Sequence, residues 1–360
     1  MFSLNRIVWY LVFSFLFITT SAQEEVENYP LEPVSDTISA LEIFDNDEPL
    51  KLTLKYDISS FIKEKRKEEY FDAELVIYQS DTDSLVKNIR LKARGNFRKT
   101  HCFFPPIFLN FKTDPITGSD IEDIKKIKLV THCSNTKSYQ KYVMKEYLAY
   151  KMFNQITDLS FRVKLVDINY VDIGKKKRHY KQIGFLIEPD ELLQKRLNAV
   201  EVEGLLMNGN TVQETEADRV AVFEYMIANT DWRFKKGHNM KFFKSLDRVT
   251  TKMIPIPYDF DYAGIVDAHY AIPQEWTSLK VITDREYMGY CRDNEEDYLK
   301  VIETFNEKKE DIFMIIKDCL YLSDKDKKQL LSFIDEFYHM AEDSQRMVKV
   351  LQRQCRGIEF

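Results

Sequence analysis

Residues Leu50-Lys51-Leu52-Thr53-Leu54-Lys55-Tyr56 alternate apolar and polar positions without a break, the period of a strand with one buried face. Ala73 to Tyr78, Val86 to Ala93 and Ile107 to Phe111 repeat the behaviour. Lys126-Ile127-Lys128-Leu129-Val130 adds a strand with both lysines on one face and Ile127 and Leu129 on the other. Over about Gln140 to Gln155 the spacing of Val143, Tyr147, Tyr150 and Met152 becomes helical. Strands return at Arg162 to Val171 and Gln182 to Ile187, joined through Lys175-Lys176-Lys177-Arg178, a charge run that reads as a solvated hairpin tip. After Pro189 the pattern predicts helices over Asp190 to Asn198 and Glu216 to Ala228. Two amphipathic helices, roughly Glu295 to Leu320 and Asp324 to Gln354, close the chain. There is no internal repeat and no low-complexity block. The expectation is an α+β chain of two lobes, strand-rich over 49–188 and helix-rich over 189–360.

The first 22 residues change the setting. Arg6, the apolar run Ile7 to Ile18 and the small residues Thr20-Ser21-Ala22 have the layout of an export signal cleaved near Ala22. The run is shorter than the roughly 20 residues a spanning helix needs, and no Cys near Ala22 points to a lipid anchor. Residues 23–48 then form an acidic entry segment with Pro30 and Pro33. The expected location is periplasmic or extracellular, with no transmembrane segment after signal removal. Arg6 is the one charged residue of the signal, so 52 cations become 51 against 58 anions and the formal charge moves from −6 to −7. A mildly acidic chain argues against nucleic acid as a partner.

All five cysteines lie in the exported part, where disulfides persist. Cys102 and Cys133 flank adjacent expected strands and are the favoured pair. The odd count leaves at least one thiol unpaired or intermolecular, and the spacing fits no zinc pattern. A redox role is not indicated.

Candidate chemistry concentrates in the second half. Asn229-Thr230-Asp231-Trp232 follows a helix with Val220, Phe223 and Ile227 on one face; His238-Asn239 precedes the strand Met240 to Phe243; and Pro257-Tyr258 leads into Asp259-Phe260-Asp261. Each piece alone fits an Asx turn that satisfies backbone groups. Together, acidic and amide groups among apolar strands are costly to bury without a cation or donors, and hard oxygens of this kind suit Mg²⁺ or Mn²⁺. Phosphoryl transfer needs such a set: a carboxylate to orient the attacking hydroxyl, and an Asn and an Asp for the metal. The Asp259 and Asp261 carboxylates are expected on one face of an extended segment. In the first half, Arg94-Gly95-Asn96-Phe97-Arg98 is a turn with two cations and one glycine, a weak phosphate signal alone. Glu146 on the long helix is placed to pair with Lys128, whose other reading is a solvated lysine face. His101 and His132 lie near the cysteines and read as surface or core histidines rather than metal ligands.

Arg94-Gly95-Asn96, a strand bearing Lys128, a helix, Gly184-Phe185-Leu186-Ile187-Glu188, Asn229-x-Asp231 with His238-Asn239, and Tyr258-Asp259-Phe260-Asp261 together resemble the CotH (spore-coat protein H) family of atypical secreted kinases, in an exported bacterial branch. The resemblance runs from about Lys51 to Asp267. It implies a two-lobed, atypical protein-kinase-like fold and transfer of the ATP γ-phosphoryl group to a hydroxyl of a protein substrate in the envelope or outside the cell. It further implies Lys128 at the α/β-phosphates, held by Glu146, with Arg94 near the phosphates and Glu188-Pro189 as the hinge beside the nucleotide base. Asp231 would be the catalytic base, and Asn239 and Asp259 the ligands of Mg²⁺ or Mn²⁺, with Asp261 in support. The chain departs from ordinary kinases in lacking a Gly-rich loop and in the wider spacing of Asp231 and Asn239. The choice of Lys128 over Lys126 rests on strand register. Two other readings compete: a glycosyltransferase that holds Mn²⁺ and a nucleotide sugar on the Asp-x-Asp element, and a catalytically inactive kinase-like module for envelope binding or assembly.

Overall fold

The computed structural model describes residues 42–80, 82–111, 116–118, 121–204, 206–247 and 250–357. The export signal and most of the acidic entry segment lie outside the described residues. The alternating first half forms β1 (Leu50–Tyr56), β2 (Phe71–Tyr78), β3 (Ser84–Ala93) and β4 (Ile107–Asn110). A two-stranded ribbon of β5 (Ile116–Gly118) and β6 (Ile121–Ile124) follows, and then β7 (Lys126–Val130). After a helix come β8 (Val163–Asp172) and β9 (His179–Ile187).

Seven strands close into a barrel in the order β1-β2-β3-β4-β7-β9-β8. A simple strand-rich lobe was expected; closure comes from β1 and β8, which pair in parallel from Leu50 opposite Val166 to Tyr56 opposite Asp172. Every other neighbouring pair in the barrel is antiparallel. The inward alternate positions, among them Leu52, Leu54, Leu75, Leu91, Leu109, Ile127, Leu129 and Ile168, form one apolar core with Phe61, Phe104 and Phe111. Burying that set removes apolar surface from water at about 25 cal/mol per Å². Gly184 on β9 is a close-approach position, since a Cβ there would lie 2.6 Å from the Val130 carbonyl oxygen of β7. On β7 the register sets Lys128 opposite Phe108 and Ile187, so Lys126 and Lys128 stay off the barrel interior.

A short helix, α1 (Ile58–Glu64), is capped by Asp57, whose Oδ1 accepts from the Ser60 N–H. A second short helix, α2 (Phe97–His101), follows the Arg-Gly-Asn turn. The long helix α3 (Lys137–Ile156) carries two faces' worth of function: Val143, Tyr147 and Phe153 pack on the outer barrel residues Val163, Leu165 and Phe185, while Glu146 and Tyr150, one turn apart, share a face. Beyond Glu188 come α4 (Asp190–Arg196), β10 (Ala199–Glu201), α5 (Glu214–Met226), β11 (Met240–Ser245) and β12 (Ile254–Pro257). The three strands form a small antiparallel sheet, β10-β11-β12.

Each expected C-terminal helix is divided in two. The first is α6 (Glu295–Glu307) and α7 (Lys309–Lys317), breaking at Lys308. The second is α8 (Asp324–Ala341) and α9 (Ser344–Gln354), because Asp343 leaves helical geometry and its side chain caps the Arg346 N–H. Cys291 and Cys355 form a disulfide, and so do Cys102 and Cys133, as expected; Cys319 is free and buried. Two disulfides place the fold in an oxidising environment. No helix among the described residues is long and apolar enough to cross a membrane.

Candidate functional site

A cavity of about 760 Å³ opens between the barrel's β3 to β7 side and the turns around β11 and β12. Its lining brings together Arg94, Lys128, Asp231, Asn239, Asp259 and Asp261 from distant parts of the chain. Glu146 and Glu188, the other two expected site residues, are not on its wall.

Asp231 owes its position to the chain just before it. Helix α5 ends at Met226 and Ala228 takes a positive φ of 53°. Asn229 then makes the Asx turn: its Oδ1 accepts from the Asp231 N–H at 3.0 Å, while its Nδ2 donates to Glu224 at 2.9 Å. The buried Trp232 donates from Nε1 to the Asn229 carbonyl. Asn229 thus carries the turn and leaves the Asp231 carboxylate to the cavity. His238 Nε2 lies 2.7 Å from Asp231 Oδ1, and Asn239 Nδ2 donates to Asp231 Oδ2 at 3.0 Å and to its carbonyl at 2.7 Å. The hydrogen bond to Asp231 raises the His238 pKa, so the imidazolium is favoured there.

Asn239 and Asp259 are both left-handed, with φ of 51° and 66°, a region that Asn and Asp tolerate better than other L-residues. The conformation of Asp259 is fixed from α3: its N–H donates to the Tyr150 hydroxyl at 2.8 Å. This corrects the extended geometry expected for Asp259-Phe260-Asp261. Asp259 is half-buried and Asp261 buried, and both line the cavity. Asp261 accepts from the Tyr270 hydroxyl at 3.1 Å and lies 3.5 Å from Arg98.

The expected Lys128–Glu146 pair is not formed. Glu146 is buried on the face of α3 that meets α2, and its cation is Arg98, at 2.8 Å from Nη1. Lys128 projects from the outer face of β7 toward the rings of Phe161 and Tyr258, and its carboxylate partner is Asp190 at 3.5 Å. Lys241 joins Asp190 and Glu201, at 2.9 and 2.6 Å. Burial lowers the Lys128 pKa, and the Asp190 charge opposes that shift. Lys128, and not Lys126, lines the cavity.

Arg98 is the residue that sequence reasoning missed. It is buried and joins Glu146 to Asp261. Burial disfavours its charge, yet the Glu146 and Asp261 carboxylates outweigh that, so the guanidinium is held more firmly cationic than usual. The signal available was Glu146 itself, an acid among Val143, Tyr147 and Tyr150, which needs a cation. Glu188, expected beside a nucleotide base, is fully buried and accepts from Arg162 and Arg196, including Arg162 Nε at 3.0 Å and Arg196 Nη2 at 2.9 Å. Its carboxylate fastens the start of β8 and the end of β9 to α4.

The cavity's wall carries the carboxylates of Asp231, Asp259 and Asp261. Burial pushes the Asp261 pKa up, and likewise that of Glu146 behind the wall, with the Arg98 charge opposing both shifts; Glu146 Oε1 is buried with no hydrogen-bond partner. A divalent cation facing this wall would favour the ionised form of Asp261 against that burial, and the Asn239 and Asp259 oxygens are hard donors of the right kind. Among the described residues no three His, Cys, Asp or Glu side chains converge as a complete metal cage. Mg²⁺ is bound in that way, by one or two carboxylates together with waters and substrate phosphates. The residues fit the group.

No protein-family model matches the sequence, and no curated protein matches it. Among solved structures the chain is similar to the Helicobacter pylori proinflammatory kinase CtkA, at 14% identity and a TM-score of 0.40, over 71% of this chain and 94% of that one. That likeness is too slight to establish a shared fold.

Proposed function

We propose that the chain is an exported CotH-like kinase that transfers the γ-phosphoryl group of ATP to a hydroxyl of a protein, with Mg²⁺ or Mn²⁺. The observation that supports this most is the convergence of Asp231, Asn239 and Asp259 on one wall of an open cavity whose opposite side carries Arg94 and Lys128. In this reading the Asp231 carboxylate takes the proton of the acceptor hydroxyl, and His238 and Asn239 hold it in position. Lys128 and Arg94 bind and orient the phosphates, with Phe108 and Pro106 lining the cavity on the barrel side. Asn239, through its carbonyl oxygen, and Asp259 would hold the metal, with Asp261 in support. Bound there, the cation would neutralise phosphate charge as it develops. Arg98 keeps Asp261 and Glu146 in place and does not touch the reacting groups.

Thermal unfolding tests the reading. ATP with Mg²⁺ or Mn²⁺ is expected to raise the Tm of the wild type and not that of Asp259→Ala. Equal shifts in the two proteins remove the metal assignment, and no shift in either removes the nucleotide site.

A further inference from the structure

Three side chains outside the proposed reaction, none of them lining the cavity, meet beside α2. His101 ends α2, Tyr139 lies in the first turn of α3, and His269 belongs to the turn after Asp267. Both histidines are exposed. The Tyr139 hydroxyl stands 3.4 Å from His101 Nε2 and 3.3 Å from His269 Nε2, and the two imidazole centroids are 6.2 Å apart.

These distances are long for hydrogen bonds, which favour about 2.7–3.2 Å. One hydroxyl also has only one proton to offer two ring nitrogens. The same separations suit ligands of one metal. With metal–ligand bonds near 2.05 Å, neighbouring donors in a tetrahedral shell stand roughly 3.3 Å apart. Neighbouring rings already flank both imidazoles. Phe97 stacks on His101 at 4.8 Å, and the ring of Tyr142, one turn along α3, lies 6.0 Å from that of His269.

We propose that His101, Tyr139 and His269 bind a divalent transition metal of the Zn²⁺ class, and that the metal fastens α2 to the segment following Asp261. Two imidazoles select such ions over Mg²⁺, which prefers oxygen ligands. No third His, Cys, Asp or Glu side chain among the described residues joins the pair, so the Tyr139 oxygen and water complete the shell. The clamp joins two parts of the cavity wall: α2 supplies Phe97, Arg98 and Lys99, and the other segment supplies Tyr262 and Ile272. The site depends on none of the roles proposed for Asp231, Asn239 or Asp259.

The test is Zn²⁺ titration of the untagged, full-length protein by calorimetry, with the Tm followed in parallel. One Zn²⁺ per chain should bind and raise the Tm, reversibly with EDTA, and excess Mg²⁺ should not displace it. His101→Ala and His269→Ala should each weaken binding roughly tenfold or more, and Tyr139→Phe by less. His339→Ala, an exposed position on α8, should leave binding unchanged. In EDTA the variants should melt with the wild type; His101→Gln and His269→Gln replace any alanine variant that folds poorly. The proposal is overturned by absence of Zn²⁺ binding, by binding that survives either histidine change, or by loss confined to His238→Ala.

Discussion

Replacing Glu188 separates a nucleotide hinge from a structural fastening. Its carboxylate has no exposed surface and accepts from Arg162 Nε at 3.0 Å, from the Arg162 N–H at 3.0 Å, and from Arg196 through Nε at 3.1 Å and Nη2 at 2.9 Å. Arg196 also donates to the carbonyls of Asp158 and Ser160, so one acid organises the entry to β8, the end of β9 and helix α4. Removing one partner of a buried ion pair costs about 3–5 kcal/mol, because the remaining charge is left uncompensated. The Arg162 and Arg196 side chains keep 22% and 20% of their surface exposed, and water recovers part of the loss. Glu188→Ala is therefore expected near the lower end, about 3 kcal/mol. Glu188→Gln keeps an oxygen for the Arg162 N–H and exchanges charge-assisted bonds for neutral ones, a difference of about 1–2 kcal/mol.

Urea unfolding of the disulfide-intact protein measures both, read as a shift of midpoint at unchanged m. The double variant Glu188→Ala/Arg196→Ala should cost less than the sum of its single changes, since the two groups act as a unit. Binding of ATP with Mg²⁺, measured at a temperature where each variant is folded, should stay within a factor of two or so of wild type. A Glu188→Ala protein with wild-type urea resistance and lost ATP binding would refute this argument and return the residue to the nucleotide.

Burial depresses the His132 pKa to about 4, with an Asn135 hydrogen bond opposing, so His132 is neutral in the fold while the unfolded chain takes up a proton below about 6.5. The sign follows: the stability tied to this group is complete above about pH 6.5 and is lost as pH falls toward 4, by about 3 kcal/mol in all. Urea midpoints at pH 7 and pH 4.5 should therefore diverge less in His132→Phe than in wild type, and equal divergence would refute the assignment. Cys291 and Cys355 close a loop of sequence separation 64, which in the chain-entropy account is worth at most about 4 kcal/mol. Cys291→Ser/Cys355→Ser should lose stability up to that amount, and an unchanged midpoint would show that the helices alone hold the C-terminus.

What the sequence could show depended on the distance over which each cause acts. Alternation in Leu50 to Tyr56 is local, so β1 was legible to the residue. Its parallel partner β8 lies more than a hundred residues away, and nothing in either strand encodes that pairing, so the barrel's closure was not legible. Cys102 and Cys133 follow from neighbouring strands, whereas Cys291 meets Cys355 through a bridge between Tyr290 and Arg356 that joins loop to C-terminus. Glu146 is the instructive case. An acid on the apolar face of α3 announces that a cation must reach it, because an unpaired buried carboxylate is too costly to keep charged. The demand is local and was readable; the choice among Lys128, Arg94 and Arg98 is tertiary. Arg98 meets it because the five residues of α2 turn that side chain into the gap between α3 and Asp261, and the same contact frees Lys128 to face the cavity beside Asp190. The exchange of partners leaves six of the expected groups around one cavity, with Glu146 and Glu188 buried away from it. Pairings between side chains are thus the part of a site that sequence leaves open, and they are where substitution experiments on this chain should begin.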